Sequence, residues 1–169
     1  GDYRAHLNSI TAEEDYFKAD VSPLAGKVIP PEESEVMLRS AVSQFEEAIK
    51  KDPELPEARY GLAKSLHGMG QFAEAAEILE ELIKIDKKYD YGKAILGLAE
   101  CYRLSGQEDK ALEAYEAVIN SFHFFKAYYY YAQLLDKKGK KIFSLTKKGF
   151  EFLEGYSMIR GFMDSYGLE

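Results

Sequence analysis

Small and large apolar residues recur along the middle of the chain at the spacing of packed helices. Leu62, Ala63 and Leu66 lie three and four apart and share one helix face, and Ala75, Leu79 and Leu82 do the same beyond Gly70. Shifts of 36 and then 33 residues carry Gly70 to Gly106 to Gly139 and Ala63 to Ala99 to Ala132. The same shifts carry Leu62 to Leu98 to Tyr131 and Leu66 to Tyr102 to Leu135. A second set, offset by 34 and 36, links Ala41, Ala75 and Ala111, then Phe45, Leu79 and Tyr115, then Ala48, Leu82 and Val118. Aligned columns at a period near 34 residues are the mark of a repeat whose unit is a pair of helices. The glycine ends the first helix of a pair and lets the second begin within about two residues. Alanine lets paired helices approach, and the large residue a turn away fills the gap. Pro53 and Pro56 stop one helix and open the next, since proline suits a first turn but not an interior.

The columns predict an all-α chain: a lone second helix over 32–51, full pairs over 57–86 and 91–121, and a further first helix over 124–138. Beyond Gly139 they fail, because the shift of 33 puts Ser144, Lys148 and Glu151 where small, large and apolar residues belong. Phe152, Tyr156, Ile159, Met163 and Tyr166 still mark one helical face, which predicts a C-terminal capping helix over the apolar end of the stack. Thr11-Ala12-Glu13-Glu14 reads as a capping box opening a short helix from about 12 to 19. Ser22-Pro23-Leu24-Ala25-Gly26 and Pro30-Pro31 form a loop. The expected organisation is an N-terminal segment over 1–31 that packs on the repeats or lies in their groove, a repeat domain over 32–139, and a basic loop with the capping helix over 140–169.

The pattern Leu62-Ala63…Leu66…Gly70…Ala75…Leu79…Leu82, repeated as Leu98-Ala99…Tyr102…Gly106…Ala111…Tyr115…Val118, resembles the tetratricopeptide repeat. The likeness covers roughly residues 36–139. It departs from the family where Arg59 and Ile95 replace an early aromatic, and where Pro23, Pro30 and Pro31 exclude the first unit's leading helix. The resemblance implies a right-handed solenoid of antiparallel helix pairs and a scaffold that binds a protein or peptide, as an extended or helical segment, in a concave groove lined by first helices. Projecting that surface onto this chain gives Tyr60, Lys64, His67, Leu96, Arg103, Lys126, Tyr129, Tyr130 and Gln133 as partner-binding residues, with Lys93 and Glu100 beside them. Lys64, Arg103 and Lys126 are expected to steer acidic groups. Tyrosine gives large contact area at low entropy cost together with a hydroxyl. Of four consecutive tyrosines, Tyr128 and Tyr131 fit the packed face, and Tyr129 and Tyr130 should point elsewhere. The family's carboxylate clamp is not expected, since Gly97 and Tyr130 stand where its pattern has Asn and Arg. Residues 134–153 are similar to the wing and following helix of winged-helix regulators, with Ile142–Leu145 as a short strand, but no recognition helix is left over for such a domain.

Charge adds a second possibility for function. The chain has 169 residues and a net charge of −7, which disfavours broad nucleic-acid binding. Residues 1–120 hold 14 basic and 24 acidic side chains, whereas residues 121–169 hold 8 and 5. Lys137, Lys138, Lys140, Lys141, Lys147 and Lys148 fall in a stretch without an acid. The alternative reading is therefore a DNA-associated regulator using residues 137–148. No enzyme, metal or cofactor is expected. His6, His67 and His123 have no ligand spacing, Cys101 has no base beside it and reads as a small buried hydrophobe, and Gly68-Met69-Gly70 lacks the Lys-Ser/Thr of a phosphate loop. Glu46, Glu47, Glu80, Glu81, Glu113 and Glu116 read as solvated charges on the outer faces of second helices. A protein partner is expected, with a homodimer as one form of it, and neither nucleic acid nor membrane. The expected compartment is the cytoplasm, with a processed extracytoplasmic protein as the alternative.

Overall fold

The computed structural model describes residues 11–15 and 31–138. Among them the regular structure is helical: α1 (Pro31–Lys51), α2 (Pro56–Gly68), α3 (Phe72–Ile85), a 3-10 turn (Tyr89–Gly92), α4 (Lys93–Leu104), α5 (Glu108–Ser121) and α6 (Phe125–Lys137). The helices fall into two compact units that divide between Asp90 and Tyr91. In the first, α1 packs on α2 and α2 on α3. In the second, α4 packs on α5 and α5 on α6. The lone second helix, the two pairs and the extra first helix stand where the columns put them. Most of the capping box helix, the capping helix, the strand at 142–145, Gly139 and the winged-helix likeness beyond Lys138 lie outside the described residues.

The first unit begins at Thr11, where residues 11–15 are helical. Ala12 is buried with Ala48 of α1, Leu55, and Ala58 of α2. Asp15 is ion-paired with Lys51 at the end of α1. Helix α1 carries Glu32 and Glu33 in its first turn and Lys50 and Lys51 in its last, the arrangement that complements the helix dipole. Its Ala41, Phe45 and Ala48 make the buried stripe. The Phe45 ring lies against the backbone of Gly61 so closely that a Cβ there would collide with it. Pro56 opens α2, as its fixed φ and missing N–H allow. The corner before it is held by Arg59, which donates to the Pro53 carbonyl at 3.1 and 2.8 Å and pairs with Glu81 of α3. Glu81 is therefore tied down instead of being a free outer charge.

Both helix pairs turn in the same way. Gly70 and Gly106 have φ of +77° and +80°. The Gln71 N–H reaches back to the Leu66 carbonyl at 2.9 Å, and the Gln107 N–H to the Tyr102 carbonyl at 2.8 Å. The glycine N–H groups close the inner bonds to His67 and Arg103. This is the Schellman arrangement, and it satisfies carbonyls that the helix end leaves open. The glycine is needed because the left-handed conformation costs any other L-residue energy. Burial is likewise uniform along the small-residue column, for Ala63, Ala99 and Ala132 are 2%, 0% and 4% exposed.

The chain passes from one unit to the next through a strained turn, with Asp90 and Tyr91 at φ +51° and +55° and Gly92 at +88°. At Gly92 a Cβ would sit 2.6 Å from the Phe122 ring, so both the conformation and the space call for glycine. The core of this unit is Ala94, Leu98, Ala99, Cys101 and Tyr102 of α4, Ala111, Tyr115 and Val118 of α5, and Ala127, Ala132, Leu134 and Leu135 of α6. Lys137 of α6 pairs with Glu108 at 2.5 Å, and Lys138 pairs with Asp109, so the end of α6 is fastened to the acidic first turn of α5.

Candidate functional site

The projected binding residues lie on first helices in both units, and each unit presents its own group. In the first unit they occupy one side of α2. Tyr60 is half-buried and meets Tyr89 edge-on, with ring centres 5.1 Å apart. The exposed Lys64 ammonium lies 4.8 Å from the Tyr60 ring centre, one helical turn on, as an i, i+4 pair should. His67 is half-buried with its ring edge-to-face on Phe72, at 5.1 Å. These three side chains make an aromatic surface that carries the Lys64 charge on the Tyr60 ring.

In the second unit the group spans α4 and α6. Arg103 near the end of α4 donates from Nε to the Tyr115 hydroxyl at 3.1 Å. Its guanidinium carbon Cζ lies over the Tyr130 ring on α6, 3.7 Å from the ring centre. Tyr130 in turn stacks on Tyr115, with ring centres 6.2 Å apart and planes 29° apart, and meets Tyr129 edge-on at 5.0 Å. Lys126, whose side chain is 70% exposed, faces the mostly covered Glu100 of α4 at 3.8 Å. Leu96 is half-buried and Gln133 is exposed.

One sequence expectation changes here. Tyr130 does not point away from the packed face: all four tyrosines from 128 to 131 are half-buried, and Tyr130 leans on the fully buried Tyr115. The cause is the neighbouring column. Phe45 meets a glycine, Gly61, on the next first helix, whereas Tyr115 meets a tyrosine, and two rings must stack where one ring lay on bare backbone. Arg103 differs too, being braced inside the unit by Tyr115 and Tyr130 instead of projecting freely. Tyr115 is the residue that sequence reasoning missed. Its hydroxyl is the signal, the one polar group in a column otherwise filled by Phe45 and Leu79.

The electrostatics follow the burial. Burial pushes the Tyr115 hydroxyl well above the ordinary tyrosine range, with the Arg103 hydrogen bond and charge opposing. The hydroxyl therefore stays protonated and accepts from Arg103. Burial and then Glu100 raise the Cys101 thiol to about 11, which leaves it unreactive at neutral pH. Burial likewise raises Tyr131, with Glu116 adding to the shift. His123 lies outside this group, its Nδ1 3.2 Å from the Tyr128 hydroxyl. Among the described residues no cluster of His, Cys, Asp and Glu could hold a metal ion, and no helix is long and apolar enough to cross a membrane. Of the lysines in the basic run, Lys137 and Lys138 are engaged with Glu108 and Asp109.

The paired helices, the repeated glycine turn and the polar-aromatic first-helix faces define a helical repeat protein. The tetratricopeptide repeat model matches residues 37–91 and 66–135, together more than half of the chain, and the chain belongs to that family. Such repeats generally mediate protein–protein interaction and are typically non-enzymatic. Among solved structures, MamA superposes with a TM-score of 0.62 at 21% identity, covering 77% of this chain and 72% of that one. The 41-to-end form of MamA from Desulfovibrio magneticus RS-1 gives 0.59 at 18% identity over 98% and 97%. At these identities the likeness is one of fold. Comparison with curated protein sequences finds no match.

Proposed function

We propose that the chain is a scaffold that binds an extended or helical segment of a partner protein along the faces of its first helices. The observation that carries this reading is the chemistry of those faces. Where other sides of the same helices bury alanine and leucine, these positions hold half-buried tyrosines, a histidine and cations: Tyr60, Lys64 and His67 on α2, Arg103 on α4, and Lys126, Tyr129 and Tyr130 on α6. Rigid aromatic area with adjacent donors is the composition of a protein-binding surface. Residues 32–139 would be the binding domain, with 1–31 and 140–169 as flanking segments. The test is capture of partners from the source cell by wild-type protein and by variants on and off this face. Lys64→Glu with Tyr129→Ala should lose the partner while circular dichroism stays helical, and Glu113→Ala, on an exposed part of α5, should keep it. Equal loss in both, or in neither, contradicts the reading.

A further inference from the structure

We infer that Arg103 is a preformed receptor for a single carboxylate side chain of the partner segment, an inference that rests on the first-helix face being the binding surface. A flexible arginine loses much side-chain freedom when it binds, and this one has already lost it. Its Nε is held by the Tyr115 hydroxyl at 3.1 Å, and its Cζ rests over the Tyr130 ring, 3.7 Å from the ring centre. Tyr115 is itself wholly buried, so the brace is rigid. What remains is the outer edge of the guanidinium, whose two terminal nitrogens donate no hydrogen bond among the described residues. That edge matches the two oxygens of a carboxylate, and bidentate pairing is the strong form of the contact.

The charge around the site selects a monoanion. Glu100 on the same helix faces Lys126 at 3.8 Å, so a carboxylate already stands beside the site. Among the described residues Arg103 itself has no ion-pair partner. A phosphate dianion would bring a second negative charge towards Glu100 with nothing to meet it. The whole chain carries −7, so an acidic ligand gains little from long-range attraction and depends on the local donor geometry. Tyr115 is then a positioning residue that acts on the ligand only through Arg103.

The test uses three blocked peptides identical except at one position, which is Glu, Gln or phosphoserine, flanked by Ala and Leu. Each is titrated into the full chain while the Arg103 Nε–Hε and backbone amide resonances are followed by NMR. The Glu peptide should shift the Arg103 side-chain resonance to saturation, and the Gln peptide should bind about tenfold or more weakly. Arg103→Gln should abolish the difference between the two. Arg103→Lys, which keeps the charge but not the fork, should lose most of it while retaining the wild-type melting temperature. Tyr115→Phe should reduce it. Equal binding of the Glu and Gln peptides, with amides of α4 and α6 moving, overturns the carboxylate receptor and leaves the binding face standing. No movement with any peptide overturns both. Tighter binding of the phosphoserine peptide overturns the choice of carboxylate.

Discussion

Phe45 and Gly61 show how one residue can fix the distance between two helices. The ring is 1% exposed and lies on the glycine backbone, so it has nowhere to retreat. Alanine is favoured over glycine inside a helix by about 1 kcal/mol, while overpacking a tight contact costs typically about 1–3 kcal/mol. The collision wins, and Gly61→Ala should destabilise by on the order of 1 kcal/mol, read as a lower urea midpoint at unchanged slope. Tyr91 is the reverse case. It sits at φ +55° with 85% of its surface exposed, so it carries backbone strain and contributes little packing. Tyr91→Gly should stabilise the fold by up to about 1 kcal/mol, the strain released less the extra entropy of an unfolded glycine. A drop in melting temperature would show that the tyrosine ring is needed at that turn.

Cys101, Tyr115 and Tyr131 share a direction of titration. Each has its folded-state pKa raised by burial, so the folded chain holds those protons more tightly than the unfolded chain. The stability this gives is fully present below the unfolded values and is lost as pH rises towards and through the folded ones. For Cys101 the window runs from 9.0 to about 11. The melting temperature should be flat from neutral pH to 9 and fall above it, with a shallower fall in Cys101→Ala. Iodoacetamide at pH 8 should leave the native thiol unmodified and label it on unfolding.

At the scale of elements, the two hairpin turns are a controlled pair. Gly70 and Gly106 have nearly equal φ, and a Cβ at either would meet nothing within 4 Å. Alanine at each therefore costs only the backbone term, about 1 kcal/mol, and should cost the same in both turns. Differential scanning calorimetry on the two variants checks this, and unequal losses would mean that the turns are not copies of one device. Most of this level was legible in the sequence, because a turn glycine, an alanine column and a proline at a helix start are local statements whose spacing repeats. The side-chain arrangement between α4, α5 and α6 was not. Arg103 belongs to one helix face, Tyr115 to a column read as pure core, and Tyr130 to a run of four tyrosines in which periodicity cannot choose a direction. Their meeting depends on which ring the neighbouring helix offers, and single-helix patterning carries no information about that. The ends of α5 and α6 teach a related lesson. Lys137 and Lys138 read as part of a free basic run, yet Glu108 and Asp109 lie one helix away.

For the whole molecule, the repeat explains why candidate binding positions could be projected from one helix pair to the next. Because the helix pair repeats, a corresponding side recurs on α2 in the first unit and on α4 and α6 in the second, and the proposed reading assigns those sides to a partner. In each unit those sides carry tyrosines and cations, with the braced arginine in the second, while the second helices carry exposed Glu77, Glu113 and Glu116. The decisive measurement is site-resolved photocrosslinking in the source cell, with a benzophenone amino acid placed in turn at Lys64, Gln133, Glu77 and Glu113. The account predicts that the first two positions trap the same partner protein and the last two trap none. Adducts of that partner from Glu77 or Glu113, with Lys64 and Gln133 silent, would contradict it.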